Sequence, residues 1–454
     1  MTTATANKID ILHGPLLKSI LLFALPLASS SILQQLFNAV DLAVVGRFAS
    51  SIDQAAVGCN GALINLMINF FVGISVGANV VIATCLGSGK TDNVSKAVHT
   101  ALTLGLGAGI IILLFNLLFA HNILAMMDTP EDTLPLAITY FKIFSWGIPF
   151  ILLYNFGAAV LRSVGDTKRP LYALVIAGVT NAILNMILVI VFHLGVAGVA
   201  IATVVSNVIS SSIVIYLLTK EQSVIGLTLS KLGIDGEELK KMLRVGVPAG
   251  IQSAVFSISN IFIQIAINSF GSAAVAASAV VLIYEFITYF ILSTFNQTAV
   301  TFTSQNYGAK NFKRCKKIYE TCMYCGASIT GCLSMFIVLN DNFFIGLFTA
   351  DPEVVEYAVV RMKYLLLLNF VAASYEISGG ALRGMGYSLP PAIITILGTC
   401  ALRLCWIYTI FRMNPTFDML LLVYPISWLV TGVIMLVTYF KTRKHLMKTV
   451  YSFS

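Results

Sequence analysis

The segment LRSVGDTKRP at residues 161–170 returns as LRGMGYSLPP at residues 382–391, an offset of 221 residues. Pro26 in the first apolar segment has a counterpart at almost the same distance, Pro248, 222 residues further on. A near-constant offset that holds from the first apolar segment of each half to the fifth is typical of an internal duplication. The sequence therefore predicts two copies of one structural unit.

Both copies are too apolar for a soluble domain. Of the 454 residues, 58% are hydrophobic and only 11% are charged, and the mean hydropathy is +0.89. Soluble domains carry charge on about a quarter of their residues. Apolar runs of about twenty residues, enough to cross a bilayer, recur along the chain. Backbone polar groups in lipid must be bonded internally, so we expect these runs to be helices. They lack the strict alternation of β-barrel strands.

The fold class predicted is an all-α membrane protein with twelve transmembrane helices in two six-helix, like-oriented, pseudo-symmetric lobes, with a cavity between them. The N-lobe covers residues 1–218, a cytoplasmic linker with an amphipathic helix covers 219–245, and the C-lobe covers 246–454. The predicted spans are 19–43, 54–86, 94–119, 134–161, 171–193, 195–218, 244–268, 272–307, 317–339, 356–382, 390–412 and 417–440.

The positive charges predict the orientation. Lys and Arg are concentrated in the segments that lie on one side of the membrane under this topology, and only Arg47 and Arg412 fall in the opposite loops. Because positive loops remain in the cytoplasm, both termini of this multi-pass protein should be cytoplasmic, in the cytoplasmic membrane. The net charge of +8 is spread over these loops rather than gathered in a patch. This distribution argues against a nucleic-acid partner.

Ionisable and polar groups inside spans are functional candidates because they are expensive to bury in lipid. Spacings of three or four place such groups on shared faces of three N-lobe helices: Gln34, Asn38 and Asp41, then Asn181 and Asn185, then Thr203 and Asn207. Carboxylate, amide and hydroxyl oxygens suit a hard cation such as Na⁺. Alternatively, a carboxyl group shielded from water favours its neutral form and could carry a proton. The structural alternative is that Asp41 reaches interfacial water near a helix end.

Three further ionisable residues lie deep in the C-lobe spans: Glu285, Glu376 and Arg403. They form a second tier of candidates for cation coupling or substrate binding. The alternatives are structural. Glu285 could be hydrogen-bonded to a neighbouring helix, and Arg403 could pair with Glu376, because a buried charge without a partner is strongly destabilising.

Pro26 and its twin Pro248 each interrupt an apolar span. Proline lacks an amide proton and should kink or locally break its helix. Bent helices at equivalent places in two halves predict hinges, although proline is also well tolerated in membrane helices.

Aromatic side chains within spans could line a pocket for planar, lipophilic cations. We name four as candidates for a substrate cavity: Tyr154, Phe156, Tyr284 and Phe295. Ordinary packing is the alternative for each of them.

The sequence carries no phosphate-binding loop, nucleophile elbow or His/Cys metal cluster. We therefore expect no enzyme activity, no cofactor, and no metal beyond Na⁺ at the Asp41 site. The energy for transport should then come from an H⁺ or Na⁺ gradient.

Several of these motifs resemble those of the multidrug and toxic compound extrusion (MATE) family. They are residues 161–170, the NAILN segment at 181–185 with the GVAGVAIAT segment at 195–203, and in the second half QNYGA at 305–309 and LRG at 382–384. The VDLAVVG segment at 40–46 resembles the end of that family's first helix. The likeness extends over about residues 15–440.

The resemblance implies a twelve-helix antiporter that exchanges Na⁺ or H⁺ for organic cations and drugs. It also implies an N-lobe cation site at Asp41, Asn181, Asn185 and Thr203. One position departs from the family pattern, because Asn185 stands where the family has an acid. Asn185 can offer a carbonyl oxygen to a metal ion but cannot carry a proton.

The leading hypothesis is a monomeric secondary antiporter that exports small organic cations by alternating access and is surrounded by membrane lipids. A flippase for lipid-linked oligosaccharides, from the same superfamily, is the alternative. Such a flippase must hold an anionic pyrophosphate, yet Arg403 is the single base that the sequence places deep in a span, against three acids. A membrane receptor or scaffold is a third hypothesis. The duplication and the buried acid argue against it.

Overall fold

The structure, a computed structural model, describes residues 9–127 and 129–451, and in these ranges every regular element is helical. This confirms the prediction of an all-α membrane protein. A cytoplasmic location was predicted for the two chain ends, and residues 1–8 and 452–454 lie outside the described ranges.

The first half of the chain forms seven α-helices and one π-helix. A π-helical segment, Met186–Val191, continues α6. The α-helices are α1 Leu16–Phe48, α2 Ser51–Gly87, α3 Thr91–Met126, α4 Leu134–Ser145, α5 Ile148–Ser163, α6 Lys168–Asn185 and α7 Gly195–Thr219.

The second half is divided into more pieces. Short 3₁₀ helices lie at Leu229–Lys231 and Asn369–Ala372, and a second π-helix lies at Ile396–Ala401. The α-helices are α8 Gly236–Asn268, α9 Ser272–Gly308, α10 Phe312–Leu339, α11 Asp341–Gly346, α12 Pro352–Leu365, α13 Ala373–Gly384, α14 Leu389–Thr395, α15 Leu402–Tyr408, α16 Ile410–Met413, α17 Phe417–Leu421 and α18 Val423–Tyr451.

In the described ranges, eleven helices or joined helices are long and apolar enough to cross a membrane, and the number is twelve when the bent pair α4 and α5 is counted as one span. The fourth span, predicted as one helix over 134–161, is in fact this pair, bent by 43°. Pro149 lies in the first turn of α5, where a backbone amide proton has no partner within the helix, so the lack of this proton has no cost. In one continuous helix over the whole span, the same position would need the proton for a hydrogen bond. The tenth span is interrupted as well, between α12 and α13.

The chain divides into two compact units. The first unit contains Leu25–Gly250 and the described residues up to Ile11, and the second contains Leu12–Ala24 and the chain from Ile251. One division lies between Ile11 and Leu12, and the other two fall within α1 and α8, next to Pro26 and Pro248 respectively.

Both prolines lie inside continuous helices, so of the kink or local break that we expected, neither helix shows the break. Membrane helices tolerate proline because neighbouring groups hold the backbone on either side. In α1, the hydroxyl groups of Ser29, Ser30 and Ser31 each donate to a carbonyl oxygen four residues earlier.

Within the first unit, α2 packs on the beginning of α8 through glycines. A Cβ atom added to Gly73 would lie 2.5 Å from the Cα atom of Gly250, and one added to Gly246 would lie 2.6 Å from the carbonyl oxygen of Ile74. Gly77 meets the backbone of Met242 even more closely. Glycines spaced by four residues on both helices therefore let the two backbones touch.

The amphipathic helix predicted near 235–244 is not separate, because α8 runs without interruption from Gly236 into the seventh span. The segment before it is bonded to α3. The backbone N–H of Thr228 donates to Nε2 of His99 (3.1 Å), and that of Asp235 donates to Oγ1 of Thr100 (2.9 Å). A bond from the Glu238 N–H, and the nearby Lys96 ammonium, hold the pKa of Asp235 below its ordinary value.

Candidate functional site

Asp41 lies in α1 and accepts hydrogen bonds from two other helices of the first unit. Nδ2 of Asn185, the last residue of α6, donates to its Oδ1, and Oγ1 of Thr203 in α7 donates to its Oδ2 at 3.3 Å. The Asp41 carboxylate is half-buried. Three helices thus meet at one acid, although they are far apart in sequence.

Asn181 completes this polar group, one helical turn before Asn185. Nδ2 of Asn185 also donates to Oδ1 of Asn181 (3.1 Å), and both asparagines are buried. Among the described residues, Oδ1 of Asn185 has no hydrogen-bond partner. A buried amide oxygen is rarely left in this condition, so it is an available ligand beside a carboxylate.

Close packing of α1 against α6 holds these side chains together. The ring of Phe37, one turn before Asp41, lies directly over Gly178, where any Cβ atom would overlap the ring. The start of α7 is tied to the start of α2, since the N–H of Val196 donates to Asp53 Oδ1 at 3.3 Å. Asp53 itself forms a capping box with Ser50. Glycine at 178 is thus the residue that permits the approach.

A π-helix begins directly after Asn185, at Met186. A π-helical turn accommodates one extra residue and is frequent at functional sites. No feature of the sequence predicted it, because π-helices differ from α-helices in a hydrogen-bond register that residue types do not encode.

Three of the predicted ligands are not bonded to this group. Gln34 and Asn38 are exposed and Asn207 is half-buried. Among the hydrogen bonds of the described residues, none joins them to Asp41. They share helix faces with Asp41 or Thr203. Each turn of a helix moves a side chain about 5.4 Å along the axis, so a shared face does not bring them within hydrogen-bond distance of Asp41.

Glu285 in the second unit is held in a buried ion pair. Nε and Nη2 of Arg361 donate to its two carboxylate oxygens at 2.7 and 3.0 Å, and Nη1 donates to Oγ of Ser278 at 3.2 Å. The sequence analysis did not include Arg361 among its candidates. The signal available was that an acid deep in one span requires a base in another.

Glu376 makes a different contact from the one we expected. Nδ2 of Asn296 donates to its Oε2 at 2.6 Å, and in the described chain Oδ1 of Asn296 has no partner. Arg403 is not bonded to Glu376, so the predicted pair is wrong. Another buried arginine of the second half, Arg383, donates from Nη2 to Oε1 of Gln252 at 2.6 Å.

Arg403 is buried among neutral groups. Its Nε donates to Oγ of Ser427 (3.3 Å) and its Nη1 to Oδ1 of Asn260 (3.4 Å). The guanidinium carbon lies 4.5 Å from the ring centre of Tyr424 and 5.4 Å from that of Phe256. Only 1% of its surface is exposed. The prediction failed because spacing along a helix does not tell which neighbour a side chain faces.

The four aromatic candidates for a substrate cavity are all buried in helix packing: Tyr154, Phe156, Tyr284 and Phe295. The hydroxyl of Tyr154 donates to the carbonyl oxygen of Pro170, and that of Tyr284 donates to the carbonyl oxygen of Phe344. Their packing supports the structural alternative, since side chains enclosed in a core have no surface to offer a ligand.

Many apolar spans, an internal duplication and oxygen-rich side chains gathered inside one unit are typical of a polytopic membrane transporter. Membership of a transporter family, and not of an enzyme family, follows from the comparison with known proteins. The chain belongs to the MatE family, whose model matches residues 26–187 and again 248–409. The two matches have equal length and begin at Pro26 and Pro248, so they confirm the duplication.

The relatives of this chain are transporters, and they match it over most of its length. It is 29% identical to "Probable multidrug resistance protein YoeA" of Bacillus subtilis (strain 168), covering 84% of this chain and 83% of that protein. It is 23% identical to "Multidrug export protein MepA" of Staphylococcus aureus (strain NCTC 8325 / PS 47), covering 89% of each. A solved structure, "Crystal structure of MATE in complex with MaL6", has the same fold, with a TM-score of 0.91, 22% identity, and 98% of this chain and 100% of that chain covered.

Proposed function

We propose that this protein exports small organic cations and drugs through the cytoplasmic membrane in exchange for Na⁺ or H⁺ by alternating access. The observation that carries the proposal is the bonded group of Asp41, Asn181, Asn185 and Thr203, drawn from three helices. A half-buried acid surrounded by amide and hydroxyl oxygens in a membrane domain is suited to bind and release a cation. The related proteins named for multidrug export support the cargo class.

Na⁺ and H⁺ would use this group differently. For Na⁺, the ligands would be the carboxylate of Asp41 and the oxygens of Asn181, Asn185 and Thr203, and the unpartnered Oδ1 of Asn185 favours such a set. For H⁺, Asp41 alone can accept the proton, because an amide cannot carry one at neutral pH. The two ions therefore predict different responses to imposed gradients.

In the proposed cycle, cation binding at Asp41 from the outside favours one arrangement of α1, α6 and α7, and cargo binding favours the other. Coupling requires this difference, because a ligand with equal affinity for both states shifts neither. Pro26 and Pro248 would serve as the flexible points of α1 and α8. We propose that the transporter acts as a monomer, and that both termini are cytoplasmic, on the grounds of the Lys and Arg distribution.

The test is gradient-driven export of ethidium from vesicles, with Na⁺ and pH gradients imposed separately. Asp41→Asn removes the charge and the titratable group, so we expect export to fall to the background of vesicles without the protein. Asp92→Asn makes the same chemical change at an exposed position in the first turn of α3 and should export like the wild type. The gradient that drives the wild type identifies the ion. Unchanged export by a folded Asp41→Asn variant would refute the proposal.

One argument against the flippase alternative, the small number of buried bases, is weakened by the structure. The base count from the sequence placed only Arg403 deep in a span, but the structure also buries Arg361 and Arg383. Arg361 is neutralised by Glu285, which limits its use for an anion. Failure of the wild type to move ethidium under either gradient would favour an anionic lipid-linked cargo.

A further inference from the structure

The second unit contains a counterpart of the Asp41 group, which can be located by register. The repeat has an offset of 222 at Pro26 and Pro248, and of 221 at Pro170 and Pro391. The π-helix Ile396–Ala401 follows Pro391, and a π-helical turn adds one residue. After this π-helix the offset between the two halves is therefore 222. The two family matches agree with this value, because they end at residues 187 and 409. Arg403 is then the counterpart of Asn181.

The last span of each half can be aligned by burial. At an offset of 221, buried positions of α7 coincide with buried positions of α17 and α18. The pairs are Val199 and Leu420, Ala200 and Leu421, Ser206 and Ser427, Ser210 and Thr431, Val214 and Met435, and Leu218 and Tyr439. In this register Thr203 corresponds to Tyr424.

The counterparts differ in chemistry from the residues that they match. In the first helix of the second half, Ile263 stands in place of Asp41 and is buried. Ile407 stands in place of Asn185. The acid and one amide have thus become apolar, which removes the ligands that a free cation would need.

Arg403 places a positive charge in the middle of this altered group. It touches Ser427, Asn260 and the ring of Tyr424, which correspond to Ser206, Asn38 and Thr203. Among the described residues no acid forms an ion pair with it, whereas Arg361, which lies beside the same Tyr424, has Glu285. Aromatic faces and neutral oxygens are the groups that stabilise a desolvated guanidinium without an acid.

We infer that Arg403 is a built-in cation, which permanently fills the second unit's counterpart of the Asp41 site and leaves the chain with a single exchangeable cation site. The inference rests on the proposed function, because it assigns the exchangeable site to Asp41. It assigns a role to a buried charge that the proposed cycle does not otherwise use.

The first test separates charge from volume at position 403. Arg403→Lys retains the positive charge, and Arg403→Met retains most of the volume without it. We expect Arg403→Lys to export near the wild-type rate and Arg403→Met to lose about tenfold or more, as for a lost desolvated cation–π contact. Thermal unfolding in detergent checks that both are folded. Equal export by Arg403→Met and wild type would overturn the inference.

The second test remains informative if Arg403→Met does not fold. Arg403→Ala leaves a hole of the shape of the side chain, and millimolar guanidinium chloride should restore its export or its thermal stability. Urea has nearly the same shape without the charge and should not. Restoration by both compounds, or by neither, contradicts a built-in cation.

The single-site claim has its own measurement. Ile263→Asp combined with Arg403→Asn restores an acid and an amide at the counterpart positions. If Na⁺ is the coupling ion, binding of radioactive sodium per purified chain should double; if H⁺ is, proton uptake per chain should double. An unchanged amount in a folded variant overturns the claim. Asp41→Asn is measured beside it: if that variant still couples, the proposed function fails, and if only the Arg403 results fail, the inference fails alone.

Discussion

Asp41 owes its properties to residues that are distant in sequence. Asn185 and Thr203 both donate to its carboxylate, and Asn185 is itself oriented by Asn181. These two donors hold the carboxylate between α1, α6 and α7, where its charge would face a bound cation. Because residue 185 is an asparagine and not an acid, the bonded group contains one carboxylate, that of Asp41.

An acid at position 185 should strengthen cation binding. In Asn185→Asp, two carboxylates face the same site, and we expect the half-saturating concentration of the coupling cation to fall by about tenfold, equivalent to roughly 1.4 kcal/mol. The measurement is the export rate as a function of Na⁺ concentration or pH. Asn207→Asp, one turn beyond Thr203 and outside the bonded group, is the matched control. An equal shift in both variants would show that Asn185 has no special position.

The helices are arranged by close contacts as much as by apolar surface. The glycines of α2 and α8 let two backbones touch, and Gly178 lets α1 approach α6. Lipid is as apolar as leucine, so helices in a membrane associate through such packing rather than through exclusion of water. A small residue at a crossing point is therefore an essential part of the fold.

Gly77→Val tests this packing. Its side chain would collide with the backbone of Met242 in α8, so we expect a loss of about 1–3 kcal/mol in stability, seen as a lower thermal midpoint in detergent. Gly61 lies in the same helix with no atom near its missing Cβ. We expect Gly61→Ala to be neutral or stabilising by up to about 1 kcal/mol. A smaller loss for Gly77→Val than for Gly61→Ala would contradict the packing argument.

In the whole molecule, two of the three divisions between the compact units fall inside α1 and α8, each beside a proline. Each of these helices therefore contributes to both units. A helix that lacks one backbone hydrogen bond at such a point bends more easily than a complete one. This is the physical basis for assigning hinges to Pro26 and Pro248.

Pro26→Ala should stiffen α1, because alanine supplies the amide proton that proline lacks. We expect slower ethidium export with unchanged or higher thermal stability, and the same for Pro248→Ala. Pro135→Ala, in the first turn of α4 where that proton has no helical partner, should leave export unchanged. Full export by both hinge variants would remove the hinge assignment.

The sequence by itself determined the class of fold, the approximate positions of the spans and the duplication. These follow from apolar length and from repeated residues, both of which are local properties that any reader of the chain can measure. It also indicated Asp41, Asn181, Asn185 and Thr203, because spacing by three or four places polar groups on one helix face.

Only the tertiary structure decided which of these groups meet. It identified Arg361, in a neighbouring helix, as the partner of Glu285, and it surrounded Arg403 with Tyr424 and Ser427 rather than Glu376. It also divided the fourth span and placed a π-helix after Asn185. The physical reason is that contacts between helices depend on rotation, depth and register, which are settled by packing across the unit and not by the residues of one helix.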